Sequence, residues 1–338
     1  MKIGIIGAGK FGLVLARIAA ENSNEVLIHS RRTNEVESLN TKNESLSGFS
    51  FNGMAISATQ DLDRLNECDA LLVTVASKDF IESISKLNYK TYEGKFVSCV
   101  KGFDQKSGKL MTEVLIDEFN IDSDNVFVLS GPNLSKELSN QELTGTVVAG
   151  EDDIFIDALC NALKTDYFLP FSSNDRYGVE LGGALKNIYA ILSGYFHKKG
   201  VGENTIGLLL TKCLSEMSIY SKARGANPAT FLGLAGVGDF FSTALSSDSR
   251  NYRFGELLAE GHKPESALDK VGDTVEGYGA SLLVKKNAEL LNIDLKLLDY
   301  LISIYEGPKD LSDDKKIFHS LGIESAILIL KLSKIFSF

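Results

Sequence analysis

Apolar residues recur along the first half of the chain in short runs separated by polar, helix-like stretches. The runs Lys2–Ile6, Val26–His29, Ala70–Val75, Phe96–Val100, Val126–Leu129, Thr146–Ala149 and Tyr167–Leu169 read as strands. Turns or helical segments such as Ile81–Lys86 and Leu110–Phe119 fall between them. Strands alternating with helices predict βαβ units and a mostly parallel sheet. From about Val179 the helical period takes over: Val179–Tyr195, Thr205–Ala223, Phe254–Glu260, Gly279–Leu291, Leu297–Tyr305 and Ser325–Ile335 read as helices. The pattern predicts an α/β domain over residues 1–176 and an all-α domain over 177–338, with the boundary in the polar "SSNDRY" near Asn174–Tyr177. "EGPKDLSDDKK" reads as an exposed polar loop.

The first turn narrows the fold. "IGIIGAGKFGLVLA" places Gly7-x-Gly9-x-x-Gly12 directly after a strand and at the start of a helix. Gly7 permits a tight turn, Gly9 lets backbone approach a pyrophosphate, and Gly12 allows close helix–strand packing. The helix N-terminus favours the anion. This context makes the first domain a Rossmann-type dinucleotide-binding domain; the alternative is a glycine-rich turn without a ligand. The second strand runs into His29, Ser30, Arg31 and Arg32, where an NAD-selective site usually carries an acidic residue for the ribose 2′-hydroxyl. Arginines suit a 2′-phosphate, so NADP(H) is favoured and NAD(H) remains open. The alternative is that Arg31 and Arg32 are solvated surface charge.

Composition adds limits. The chain has 338 residues, is 44% hydrophobic and 24% charged, and carries a net charge of -10. That acidic balance argues against a nucleic-acid partner. Cys68, Cys99, Cys160 and Cys213 form no CxxC group and the histidines are scattered, so the expectation is a reducing cytosol and no metal site. The apolar N-terminus is broken by glycines, which favours strand–turn–helix over a signal peptide. No uninterrupted apolar stretch approaches the length of a membrane span.

Ligands of open α/β sheets sit outside the carboxyl ends of the strands. Those ends here carry "ASK", "KGF" with Lys101, and "SGPNLSKEL", each of which could also be a plain structural turn. In the second half, Gly236-Val-Gly238 reads as a flexible loop, with Asp239 and Thr243 on one face if a helix starts there. Ser249, Arg250 and Asn251 bring together a hydroxyl, a guanidinium and an amide, a set suited to phosphate; alternatively Ser249 or Asn251 caps the next helix and Arg250 is surface charge.

"VELGGALKN" puts Lys186 on the same helical face as Gly182 and Gly183, with Ala190 and Ser193 continuing a stripe of small residues. Either the stripe packs against another helix while the lysine snorkels, or the lysine is brought close to a ligand as a general acid/base.

These residues together resemble the bacterial NAD(P)-dependent glycerol-3-phosphate dehydrogenases. The likeness runs from about Lys2 to Leu298 through "GAGKFG", "VKGF", "SGPNLSKE", "GVELGGALKN", "ANPATFLGLAGVGD", "SRNYRFG" and "TVEG". It implies reversible conversion of dihydroxyacetone phosphate and sn-glycerol 3-phosphate, feeding phospholipid synthesis, by a cytoplasmic homodimer with a Rossmann and a helical domain. It implies that Lys186 is the proton donor and acceptor and that Lys101 touches cofactor and substrate, with Asp239 beside them. Gly131, Asn133, Asn187, Asp239, Thr243, Ser249, Arg250 and Asn251 would contact substrate, Arg250 also bridging to the cofactor. Gly7, Gly9, Lys10, Phe11, Gly12, Arg31, Arg32, Ser135 and Glu276 would contact the dinucleotide. Lys10 replaces the family's usual small hydroxyl residue, Ala76 a common proline and Ser135 a usual alanine, while Asn133 stands where serine is common. The chain past Ile293 is atypical. The rival readings are a related two-domain reductase of the ketopantoate or opine type, and a non-catalytic NADP(H)-sensing protein.

Overall fold

Strands β1 (Lys2–Ile6) and β2 (Glu25–His29) bury Ile3, Ile5, Ile6, Val26 and Ile28 completely, as expected of strands covered on both faces. They begin a sheet completed by β3 (Ile56–Thr59), β4 (Ala70–Val73), β5 (Lys95–Ser98), β6 (Val126–Ser130), β7 (Thr144–Ala149) and β8 (Phe168–Ser173). The spatial order is β3-β2-β1-β4-β5-β6-β7-β8. The run β3 to β6 is parallel throughout and has the doubly wound nucleotide-binding order. β7 pairs antiparallel with β6, and β8 parallel with β7. The computed structural model describes residues 1–321; the helix expected over Ser325–Ile335 lies outside them.

Helices α1 (Lys10–Glu21), α2 (Thr33–Lys42), α3 (Ser77–Ser85), α4 (Met111–Asp117), α5 (Ser135–Ser139) and α6 (Asp153–Leu163) connect the strands. One core cluster joins Leu13, Leu15 and Ile18 of α1 to Ile5, Ile28, Leu129 and Leu159, and a second joins Phe80, Ile84, Met111 and Leu115 to Ile6, Leu71 and Phe96. Helix α7 (Arg176–Lys198) follows, then α8 (Glu203–Ala223), α9 (Asp239–Ala244), α10 (Arg250–Ala259), α11 (Pro264–Val271), α12 (Glu276–Leu290), α13 (Lys296–Glu306) and α14 (Leu311–Ser320). Two compact units result. The first is Met1–Gly183 with Ala229–Asp239, and the second is Ala184–Pro228 with the described chain from Phe240 to Leu321.

Some local expectations needed correction. β3 was not anticipated: Ile56, Ser57, Ala58 and Thr59 make a short, half-polar edge strand that pairs with β2 and is pinned at Ala58 by both ends of the Asn40 amide of α2, which donates to the Ala58 carbonyl at 2.9 Å and accepts from its N–H at 2.8 Å. The polar stretch read as a loop is only half one, because Asp310 caps α14 by accepting from the Asp313 amide at 2.9 Å. Gly236-Val-Gly238 is not a flexible loop. It belongs to one turn of π-helix, Leu234–Gly238, which runs directly into α9 at Asp239.

Candidate active site

The glycine turn is built as its sequence requires. Gly7 has φ of +115°, a conformation open to glycine. A methyl group on Gly12 would fall 2.1 Å from the Gly7 carbonyl oxygen, so α1 can approach β1 this closely only without a side chain there. Thr74, just past β4, locks the turn by donating to the Ile6 and Gly7 carbonyls at 3.1 and 3.0 Å; sequence reasoning missed it. The N-terminus of α1 has no side-chain cap and no acidic residue in its first turn, and a methyl on Gly9 would meet nothing within 4 Å. Exposed backbone, a positive helix end and no competing carboxylate fit a pyrophosphate. Lys10 is exposed and Phe11 half-buried beside this turn. Arg31 and Arg32 follow β2, as expected, with side chains 63% and 58% exposed.

The ends of β5 and β6 meet a third segment of the first unit. Lys101 Nζ donates to the Gly131 carbonyl at 2.5 Å and to Asp239 Oδ2 at 2.7 Å. Asp239 is 1% exposed and is delivered by the π-helical turn. Asn133 donates to Thr146 Oγ1 at 3.0 Å, which donates in turn to the Ser130 carbonyl. Asn133 Oδ1 and Ser130 Oγ are buried without a hydrogen-bond partner among the described residues. Buried polar atoms seldom stay unpaired, so the strand ends carry acceptor and donor capacity suited to a polar ligand. Ser135 opens the short α5.

Helix α7 explains its own glycines. A methyl on Gly182 would lie 2.6 Å from the Ala235 carbonyl oxygen, and one on Gly183 would lie 2.7 Å from Ser130 Oγ and 3.4 Å from Lys101 Cγ. Gly182 therefore admits a neighbouring backbone, and Gly183 admits Ser130 and the stem of Lys101. One turn earlier, Glu180 is buried and accepts from the Thr112 amide at 3.1 Å, the Thr112 hydroxyl, and the Ser98 hydroxyl at 3.4 Å. Burial pushes its carboxyl up to about 7. A carboxylate inside an otherwise apolar run was the sequence signal for it.

In the second unit Lys186 is 5% exposed and donates to Thr243 Oγ1 of α9 at 2.8 Å. A lysine this buried is uncommon and needs a reason. Asn187 Oδ1 accepts from Asn251 Nδ2 at 2.9 Å, and Asn251 Oδ1 accepts from the Gly277 amide at 2.9 Å. This chain links α7, α10 and α12, so Asn251 is held by both ends of its amide. Ser249 caps α10 by accepting from the Tyr252 amide at 3.3 Å. Arg250, 45% exposed, pairs with Asp273 at 2.9 Å. Glu276 is the first residue of α12.

The comparisons with known proteins bear on both halves of the chain. Residues 2–155 match the model of the NAD-dependent glycerol-3-phosphate dehydrogenase N-terminus, and residues 175–314 match that of its C-terminus. A curated relative from Alcanivorax borkumensis, named glycerol-3-phosphate dehydrogenase [NAD(P)+], is 40% identical over 309 residues, covering 90% of this chain and 89% of the relative. The chain belongs to the NAD(P)-dependent glycerol-3-phosphate dehydrogenase family. A relative of the same name from Pseudomonas aeruginosa is 37% identical, with 90% of each chain covered. The crystal structure of the Coxiella burnetii glycerol-3-phosphate dehydrogenase is similar in fold, with a TM-score of 0.82 and 28% identity over 95% of this chain and 98% of that one. The family assignment disfavours the ketopantoate-type, opine-type and non-catalytic readings, and it agrees with the doubly wound sheet followed by helices.

Proposed function

We propose that this protein catalyses the reversible, NAD(P)-dependent interconversion of dihydroxyacetone phosphate and sn-glycerol 3-phosphate. The observation that carries the reading is Lys186: a nearly fully buried lysine, oriented by Thr243, on a family-matching helix. Gly7, Gly9 and Gly12 would hold the pyrophosphate against the N-terminus of α1, with Lys10, Phe11, Arg31, Arg32, Ser135 and Glu276 as further contacts to the dinucleotide. When bound, the nicotinamide supplies or accepts the hydride exchanged with C2 of the triose phosphate.

The protein's own residues do the rest. In reduction Lys186 donates a proton to the alkoxide developing at C2, and in oxidation it takes the proton back. Lys101, held by Asp239 and the Gly131 carbonyl, would add electrostatic stabilisation. Asn133 contacts the substrate's polar groups. Ser249, Arg250 and Asn251 hold the phosphate, which binds remotely from the reacting carbon and orients it. The Asn187–Asn251–Gly277 chain keeps the phosphate group in register with Lys186.

NADP(H) is the favoured dinucleotide, because arginine rather than a carboxylate follows β2. The setting is the cytoplasm, the assembly a homodimer, and the product a precursor of phospholipids. The family likeness supports these, and no described helix is long and apolar enough to cross a membrane. Steady-state rates with dihydroxyacetone phosphate, using NADPH and NADH side by side, test the reading. Oxidation of either dinucleotide dependent on that substrate supports it, a higher kcat/KM with NADPH supports the cofactor choice, and no loss of either dinucleotide refutes the activity.

A further inference from the structure

Two consecutive arginines follow β2, and the structure gives them different work. Arg32 Nη2 donates to the Ala8 carbonyl at 3.1 Å and lies 3.2 Å from Glu35 Oε2. Glu35 is 1% exposed, and the same oxygen accepts from the Leu46 amide. Pulling Arg32 away would strip a buried carboxylate of its counterion, which costs far more than breaking an exposed pair. Arg32 is thus fixed where it ties the glycine turn to α2, and any contact it makes with the dinucleotide is made from that position.

Arg31 is not. Its side chain is largely exposed, and its Nη2 sits 3.5 Å from Oδ2 of Asp79, a long ion pair with a carboxylate 28% exposed in the first turn of α3. Gln60 Nε2 donates to the Arg31 carbonyl at 3.3 Å, which anchors the backbone and leaves the guanidinium able to swing. Glu82, one turn further along α3, has its own partner in Lys86.

We propose that Asp79 sets this protein's preference between the two nicotinamide dinucleotides, by holding Arg31 in an ion pair that a ribose 2′-phosphate has to displace. The proposal rests on the NADP(H) reading above. A 2′-phosphate must take Arg31 from Asp79 and must also tolerate the negative charge of Asp79 nearby. A 2′-hydroxyl does neither. Asp79 therefore weakens binding of the phosphorylated dinucleotide and leaves the other unaffected. An exposed pair of this length is worth about a two- to fivefold change in an equilibrium, which sets the size of the effect.

The test is kcat/KM for NADPH and for NADH, with dihydroxyacetone phosphate saturating, in the wild type, Asp79→Asn and Arg31→Ala. Asp79→Asn is expected to raise the NADPH-to-NADH ratio about two- to fivefold through a lower KM for NADPH, with the NADH constants unchanged and the gain shrinking at high salt. Arg31→Ala is expected to lower the ratio about tenfold or more. An unchanged ratio in Asp79→Asn, or equal gains for both dinucleotides, while Arg31→Ala still lowers the ratio, overturns the role of Asp79 and leaves the NADP(H) reading standing. No effect of Arg31→Ala overturns both.

Discussion

Gly183 of α7 faces the hydroxyl of Ser130 so closely that a single methyl group would stand 2.7 Å from Ser130 Oγ. The stem of Lys101 is the next neighbour, at 3.4 Å. In a helix interior, exchanging glycine for alanine by itself stabilises by about 0.5–1 kcal/mol. Gly183→Ala should therefore lower kcat well beyond any loss of stability, because the clash moves Ser130 or Lys101 and not the bulk of the fold. Gly183→Val should be worse in the same direction. Ser130→Ala removes the clashing oxygen, which has no hydrogen-bond partner among the described residues. The double variant Gly183→Ala/Ser130→Ala should recover much of the lost kcat. Equal losses of kcat and thermal midpoint across the series, without recovery in the double variant, would contradict this.

The Lys101–Asp239 pair separates a stability effect from a catalytic one. Asp239 is buried and Lys101 Nζ lies 2.7 Å away. Lys101→Ala takes that counterion from a buried carboxylate and should cost about 1–3 kcal/mol in denaturant unfolding, discounted because Lys101 keeps 19% of its side chain exposed. Adding Asp239→Asn to Lys101→Ala should restore part of the stability but none of the activity. Asp239→Asn alone should fold and lower kcat about 100-fold, since Lys101 loses the carboxylate that helps to aim it.

The sequence showed the glycine turn, the paired arginines and the helix of Lys186 because each depends on local spacing. β3 escaped notice because it is only four residues long, too short for its apolar–polar alternation to stand out, and its support comes from β2 and Asn40. The helix from Leu311 was hidden under charge: Asp310 and Asp313 form its cap but look like loop residues in isolation. The Lys101–Asp239 pair joins residues far apart along the chain, and no periodicity reports it. Gly182 and Gly183 were visible as costly residues beside a lysine, but which groups they admit, the Ala235 carbonyl and Ser130, is a property of the folded chain. Arg250 was legible as a cation near Ser249 and Asn251, whereas its partner Asp273 was not.

That partner matters for the phosphate. Arg250 and Asp273 are both well exposed and 2.9 Å apart. Arg250→Ala should raise KM for dihydroxyacetone phosphate about 10- to 100-fold, the worth of a charge-assisted contact. With dihydroxyacetone, which lacks the phosphate, the same variant should match the wild type. Asp273→Asn frees Arg250 from competition and should lower KM for the phosphorylated substrate about twofold. A KM for dihydroxyacetone phosphate that ignores Arg250→Ala would remove this arginine from the site.

Among the described residues, Glu180 in the first unit and Glu216 in the second are buried carboxyls whose ionisation opposes folding at neutral pH. Glu180 and Glu216 are both raised to about 7, first by desolvation and only partly offset by hydrogen bonds. Glu216 accepts from the Leu297 and Leu298 amides at 2.7 and 3.1 Å and from Tyr189 at 3.1 Å. A carboxyl with a folded pKa above its unfolded value binds more protons in the native state, so stability falls as pH rises. The contribution is fully present below the unfolded value near 4.5 and is lost as pH climbs through about 7. Its span is on the order of 3 kcal/mol for each group. Glu180→Gln, which keeps an acceptor for the Thr112 amide but cannot ionise, should be less stable than or equal to the wild type at pH 5 and should gain on it steadily toward pH 8. Glu216→Gln should do the same. Denaturant unfolding of the two variants and the wild type at pH 5, 6, 7 and 8 reads the difference directly. A wild-type-minus-variant stability that stays flat across this range would show that burial does not raise these carboxyls as described.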